Sequence, residues 1–379
     1  MAPRSGKTTA LAIPHVLHAP GPVVATANKA DLWASTGELR AADTGQRVWA
    51  FDPQRIARGP RSWWWDPIGD LGNVEDAERL ASHFVLTVED DRAKDIWGPA
   101  AQELLAALLM AAKVSGADLT AVYQWLNQES VPTPADLLRP RYPALAASLR
   151  GAMDAPAETR GSVYFTARTA AKCLRNPEIT RWVTPPASGL DRFDPDAFVR
   201  SRQTLYLLSK DGGGSAAPLV AALTDRVLRA AVSAAEADGG RLDPPLVAVL
   251  DEAANICRIG DLPVLYSHLG SRGVIPVTIL QSFAQGVGVW GCGGSPARRR
   301  CGARPPSNSS GPAWTTRASP RTCPASSAST TCRPRPTPTV TAGPAAPGPP
   351  GGNASSAPRR SGRYPRAPPC CCPPVPGRR

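Results

Sequence analysis

The sharpest constraint on this sequence is a break at Gly291. Beyond it, residues 292–379 contain no Leu, Ile, Phe or Met and no Asp or Glu, yet hold 14 arginines, 20 prolines and seven of the nine cysteines. A segment so poor in large apolar side chains cannot bury enough surface to offset the entropy of ordering its backbone, so it is expected to be disordered. Any folded core must come from residues 1–291. The break also reassigns the charge. The chain carries 43 basic and 31 acidic side chains, a formal net of +12. Without the 14 arginines of the tail, residues 1–291 keep 29 basic against 31 acidic groups, a net of −2. The basic balance is therefore no argument for a nucleic-acid groove on the folded part. Only Cys173 and Cys257 precede the break, the usage of a thiol-reduced protein and not of a disulfide scaffold. There is no run of about 18 apolar residues and no secretory leader, so no membrane span is expected in this chain.

Within residues 1–291 the hydrophobic period changes twice. Residues 9–18 read as a helix, Val23–Ala27 and 48–52 as short strands, and 29–39 as the helical crossover between them. From about residue 73 to 200, apolar residues recur at three- and four-residue spacing; Leu104, Leu105, Leu108 and Leu109 form one such face. The strand rhythm then resumes at 204–209, 246–250 and 274–280, with helices at 218–235 and 262–270 between. Strands joined by helical crossovers imply a parallel sheet. The expected organisation is an α/β domain in two parts, 1–72 and 201–291, an all-α insertion at 73–200, and a tail at 292–379. Pro276 inside the last strand is best accommodated near the strand's start.

Two local patterns carry chemistry. Ser5-Gly6-Lys7-Thr8-Thr9 before a helix is the second half of a phosphate-binding loop, G-x-x-x-x-G-K-[ST], whose first glycine would fall at position 1, here Met1. Backbone N–H groups at the helix start would cradle phosphate oxygens. Lys7 would reach the β and γ phosphates, and the Thr8 hydroxyl would face Mg²⁺. The second pattern is the apolar strand 246–250 ending in Asp251-Glu252, the form of a Walker B element. Asp251 would hold Mg²⁺ through its water shell, and Glu252 would orient or deprotonate the attacking water. In this order, with βα units between them, the two describe a P-loop NTPase that binds ATP and Mg²⁺. Gln281, at the end of the next strand, is placed to sense the γ-phosphate. Arg272, on the turn before that strand, is a candidate arginine finger for a neighbouring subunit.

Other features have blander readings. Trp63-Trp64-Trp65 suits core and interface packing better than a substrate platform. His15, His18, His83 and His268 make no zinc-type spacing with Cys173 or Cys257, and Cys370-Cys371-Cys372 lacks a second cysteine pair. Gly212–Gly214 follows a strand and could approach a phosphate, or simply turn.

Taken together, Pro3–Thr9 with 23–32, Trp64-Trp65-Asp66-Pro67-Ile68, Leu250-Asp251-Glu252-Ala253-Ala254-Asn255 and residues 273–282 resemble the TraG/TraD-type coupling proteins of type IV secretion, in their actinobacterial branch. The resemblance covers about residues 2–291. It implies a RecA-like motor carrying an all-α domain, anchored by N-terminal transmembrane helices at the cytoplasmic face of the membrane and assembled as a hexamer around a channel. It gives Lys7, Thr8, Asp251, Glu252 and Gln281 the family's roles and Arg272 a looser one. DNA, or a relaxase or effector protein, would be the substrate, with secretion-channel components as partners. The anchor and the strand before the loop are not found in this sequence, which by itself is expected to be cytoplasmic. The tail is expected to be a frameshifted reading of GC-rich DNA. Three alternatives stand beside the motor: an inactive fragment offering at most a docking surface, an FtsK-like translocase, and a metabolic P-loop kinase. The long insertion disfavours the last two.

Overall fold

The computed structural model describes residues 6–88, 97–187 and 189–290, apart from the side chain of Phe283. Met1–Ser5 and the tail predicted to be disordered lie outside the described residues. A π-helical turn at Thr8–Ala12 runs into α1 (Ile13–Leu17), followed by β1 (Val23–Ala27), α2 (Asp31–Thr44), β2 (Val48–Phe51) and β3 (Trp63–Trp64). Helices α3 (Val74–Val85), α4 (Trp97–Ser115), α5 (Leu119–Leu126), α6 (Thr133–Leu138), α7 (Pro143–Asp154), α8 (Ala157–Ala170) and α9 (Pro177–Thr180) come next. Then follow β4 (Asp191–Arg192), α10 (Pro195–Phe198), β5 (Thr204–Leu208), α11 (Ala217–Ala237) and β6 (Leu246–Leu250). The described chain closes with α12 (Ala253–Ile256), α13 (Leu262–Leu269), β7 (Val274–Thr278) and α14 (Phe283–Trp290).

The main sheet has the order β2-β5-β1-β6-β7, with every neighbouring pair parallel. Its three central strands are buried at every position, as their near-continuous apolar runs require. Alternation decides which face each residue serves. Val23, Ala25, Tyr206, Leu208, Val247 and Val249 join Val16 and Leu32 of α1 and α2 in one cluster. Val24, Leu205, Leu207, Leu246, Ala248 and Leu250 point the other way, into a cluster shared with α11 and the helices of residues 74–180. Pro276 sits in mid-strand, opposite Ala248, and not near the strand's start. It is tolerated because β7 ends the order of the sheet, where one ladder is enough.

The helical segment has no core of its own. Leu104, Leu105, Leu108 and Leu109 of α4 belong to the same buried cluster as Val24 and Leu207 of the sheet, with α3 packed between α4 and α11. Nor is the segment purely helical: Asp191–Arg192 pairs in parallel with Trp63–Trp64. This small ribbon seats Trp63, 1% exposed, edge-on to Trp49 and Trp182 with ring centroids 5.5 and 5.6 Å away. Edge-to-face packing satisfies the ring quadrupoles, and the Trp63 indole N–H donates to the Ala50 carbonyl at 3.1 Å. The tryptophans are joints between the segment and the sheet.

The segment opens on a capping box. The Asn73 side chain accepts from the Asp76 backbone N–H at 2.9 Å, and the Asp76 carboxylate accepts from the Asn73 N–H at 3.2 Å. Asn73→Ala is expected to cost about 1 kcal/mol, read as a lower urea midpoint at unchanged slope. An unchanged midpoint would show that tertiary packing alone holds the start of α3.

Candidate nucleotide-binding site

The site forms where the C-terminal ends of β6 and β7 meet the start of the first helix. Gly6 has φ +69°, a region that side-chain-bearing residues rarely adopt, and its carbonyl accepts from the Ala10 N–H at 2.8 Å. A Cβ there would meet nothing within 4 Å, so the positive φ is what calls for glycine, and the loop backbone is open on that side. The next residues begin the helix, whose first N–H groups have no partner within it. Ser5 lies outside the described residues; Thr9 is exposed at the helix start.

Folding brings together residues that lie 243 positions apart. The Thr8 hydroxyl donates to Asp251 Oδ2 at 3.0 Å. Lys7 Nζ donates to the Leu280 carbonyl at 2.9 Å, just past β7. Asp251 is 7% exposed, and burial pushes its carboxyl above the usual value of 3.8, opposed by the Thr8 hydroxyl and the Glu252 N–H. The main chain of Asp251 is fixed too, its carbonyl accepting from Thr26 Oγ1 at 2.9 Å.

Glu252 turns the chain off the strand with φ 53° and ψ 34°, a left-handed conformation that costs a non-glycine residue about 1–3 kcal/mol. The turn aims its carboxylate at two amides. Oε2 accepts from Gln281 Nε2 at 2.8 Å and from Asn255 Nδ2 at 2.9 Å. Gln285 closes a ring of side chains: its Nε2 donates to Asn255 Oδ1 at 2.6 Å, and its Oε1 accepts from the Gln281 N–H at 3.1 Å. Asn255 and Gln285 were not among the predicted site residues. The available signal was helical spacing, with Asn255 three positions after Glu252 and Gln285 four after Gln281.

Arg272 does not join this group within the chain. It precedes β7 whereas Gln281 follows it, and five strand residues separate the two by about 15 Å. Its guanidinium pairs with Glu236 at the end of α11, at 2.9 Å.

The donor set fits a metal-bound nucleotide. A hydroxyl and a carboxylate already within hydrogen-bond distance can share one octahedral Mg²⁺ directly and through water. Lys7 donates to a carbonyl and forms no ion pair among the described residues, so the ammonium can turn to phosphate. A pH dependence follows. Mg²⁺ needs ionised Asp251, so Mg²⁺-dependent nucleotide affinity should be full above that group's raised pKa and fall as pH drops through it. The fall should begin at a higher pH than for an exposed aspartate, whose value is near 3.8. Calorimetric titrations across pH should show this limb, and Asp251→Asn should remove it.

Comparison with known proteins bears on the whole arrangement. Residues 1–295 match the family described as Type IV secretory system Conjugative DNA transfer. Two conjugal transfer proteins TraG of Escherichia coli are each 23% identical, over 74% of this chain and 47% of their own length, so the chain spans about half of these relatives. The fold is similar to that of the bacterial conjugative coupling protein TrwBdeltaN70 in its unbound form, with a TM-score of 0.53 at 18% identity, covering 76% of this chain and 62% of that one. It is likewise similar to TrwB in complex with the ATP analogue ADPNP, with a TM-score of 0.51 at 17% identity over 76% and 64% of the two chains. Among the described residues, no helix is long and apolar enough to cross a membrane. With a family match running through both parts of the sheet and the helical segment between them, this chain belongs to the conjugative DNA transfer family of type IV secretory systems.

Proposed function

We propose that this chain is the nucleotide-hydrolysing part of a coupling-protein motor that drives DNA, alone or with a bound relaxase or effector protein, into a conjugative channel. The observation that carries the reading is the convergence of Lys7, Thr8, Asp251, Glu252 and Gln281 at one edge of the sheet. Mg²⁺, when bound, would neutralise charge developing on the β and γ phosphates. Lys7 would leave the Leu280 carbonyl for phosphate oxygens, and the N–H groups from Lys7 to Thr9 would orient the phosphate chain. Glu252 would take the proton of the attacking water, with Gln281 fixing that water and the carboxylate together. Arg272, about 15 Å from this centre in its own subunit, would serve a neighbour's site in a hexameric ring at the cytoplasmic face of the membrane. TrwB, whose fold this chain resembles, is known in complex with both an ATP analogue and a GTP analogue, which supports a purine nucleotide as the ligand.

The test is Mg-ATP binding and turnover by the purified chain. Lys7→Ala is expected to weaken Mg-ATP affinity about tenfold, the loss of one charge-assisted phosphate contact. Equal affinities in the two proteins would remove the phosphate role of the loop and favour a docking fragment.

A further inference from the structure

The amides beside Glu252 form a relay whose direction is fixed at both ends. One end is the backbone N–H of Gln281, which can only donate; the other is the Glu252 carboxylate, which accepts. Between them stand the side-chain amides of Gln285 and Asn255, each of which has a donor end and an acceptor end. Gln285 Oε1 meets the Gln281 N–H at 3.1 Å, and this turns its Nε2 to Asn255 Oδ1 at 2.6 Å. The Asn255 amide is thereby set with Nδ2 toward Glu252 Oε2, at 2.9 Å. Reversing either amide would put donor against donor and acceptor against acceptor. Every bond in the series donates toward the carboxylate, so the bonds polarise one another in one sense.

Local structure puts the two amides in place. Glu252 leaves β6 with a left-handed backbone, and α12 follows at once with Asn255 in its only turn. Gln285 lies in the first turn of α14, where its own N–H donates to Ser282 Oγ at 3.1 Å. Both side chains are half-buried, which restricts the water that could replace their bonds.

The relay also begins on the peptide that the phosphate-loop lysine holds. The Leu280 carbonyl accepts from Lys7 Nζ at 2.9 Å, and the N–H of that same peptide unit is the Gln281 N–H that starts the relay. An ammonium on the carbonyl draws charge through the amide and strengthens its N–H as a donor. Lys7 and Glu252 are therefore joined through one peptide and two side-chain amides. Packing of α14 against α12 alone would require neither the shared peptide nor the common direction.

We propose that Asn255 and Gln285 are positioning residues for hydrolysis, holding the Glu252 carboxylate in line for the attacking water and tying its placement to the peptide that Lys7 contacts. The proposal rests on the motor reading, which gives Glu252 its task as base. Asn255 and Gln281 both donate to Oε2, which fixes the carboxylate while Oε1 carries neither bond. Oε1 is then the oxygen that takes the proton, and a general base works only when held in reach of that proton.

Two measurements on the full chain test it. The first is steady-state and single-turnover hydrolysis of Mg-ATP. Gln285→Met keeps the length of the side chain and is expected to lower kcat by about tenfold to a hundredfold, the cost of a misplaced reacting group, with KM little changed. In a Glu252→Gln background the same substitution should cost nothing further, because the group it positions is gone. A packing role would lower the rate alike in both backgrounds. Gln285→Glu can still accept from the Gln281 N–H but cannot donate to Asn255, so it should lose as much and checks the result if the methionine variant folds poorly. An unchanged kcat, or an equal loss in the two backgrounds, overturns the positioning role. The second measurement needs no turnover: side-chain amide resonances of Asn255 and Gln285 are followed by NMR with isotope-labelled asparagine and glutamine. Both should move when a non-hydrolysable ATP analogue with Mg²⁺ draws Lys7 from Leu280, and the Asn255 response should be lost in Gln285→Met, which breaks the series between them. An Asn255 response that is absent in the wild type, or persists in that variant, overturns the relay. A wild-type chain that does not hydrolyse ATP refutes the motor reading and the positioning role with it, and the resonances still decide the relay.

Discussion

A Glu252→Gln chain is expected to bind Mg-ATP within a few-fold of the wild type and to turn it over about a thousandfold more slowly. The substitution keeps the length and shape of the side chain, and an oxygen remains to accept from Gln281 or Asn255. What it loses is the ability to take a proton from water, and a positioned general base is worth about 10²–10⁴ in rate. Binding is spared on the proposed reading, in which the phosphate contacts would come from Lys7 and the helix start, and the metal contacts from the Thr8 and Asp251 pair. Fluorescent-nucleotide binding and single-turnover hydrolysis, measured on one preparation, separate the two quantities. If kcat is unchanged, Glu252 is not the base and its left-handed backbone needs another explanation. If affinity and rate fall together, the carboxylate holds the loop in place and does not act in the chemistry.

The largest expected loss of stability comes from a residue with no part in that chemistry. Arg40 of α2 is 0% exposed, and burial pushes its guanidinium below the usual arginine range. Its charge is held by acceptors at the N-terminal edge of the sheet: the Ala19 carbonyl at 2.8 Å, the Gly21 carbonyl at 2.9 Å, Thr204 Oγ1 at 3.1 Å and the Arg202 carbonyl at 3.4 Å. Its one carboxylate neighbour among the described residues, Asp43, is 4.0 Å away and exposed, so the carbonyls carry the compensation. Arg40→Ala strips donors from these buried acceptors and opens a cavity, at an expected cost of about 3–4 kcal/mol. Arg40→Met fills most of the volume and should recover only the packing part. Urea denaturation at constant slope reads both. A loss under about 1 kcal/mol for Arg40→Ala would show that water or a shifted loop takes over the guanidinium's role.

Much of this molecule was legible locally. The runs 23–27, 204–208 and 246–250 read as strands because a strand covered on both faces must be apolar throughout, and all three are buried at every position. Gly6-Lys7-Thr8 and Asp251-Glu252 were recognisable because a phosphate loop and a strand-end carboxylate pair are short patterns whose chemistry is written in adjacent residues. The site's partners were harder to read. Asn255 closes the 250–255 motif but had no role assigned to it, and it meets Gln285 on a separate helix only because α12 and α14 lie beside one another after neighbouring strands. The buried cluster runs across the boundary expected at residue 73 for the same kind of reason. Helical periodicity shows that a face is apolar, but not that α3 and α4 would bury theirs against α11 and the sheet.

The Gly291 break keeps its first meaning: composition alone decides which residues can supply a core, since burial needs large apolar side chains whatever the fold. The match to the family ends at residue 295, close to that break. Sequence also determined that a Gly-Lys-Thr loop and a strand ending in Asp251-Glu252 stand in one chain, because each is a local pattern. Only the tertiary structure decided that they meet, through the order β1-β6-β7 that sets Thr8 against Asp251 and Glu252 against Gln281, and that Arg272 falls at the far end of β7. Strand order follows from how non-adjacent faces bury one another, and that competition is settled over the whole core and not within any single segment.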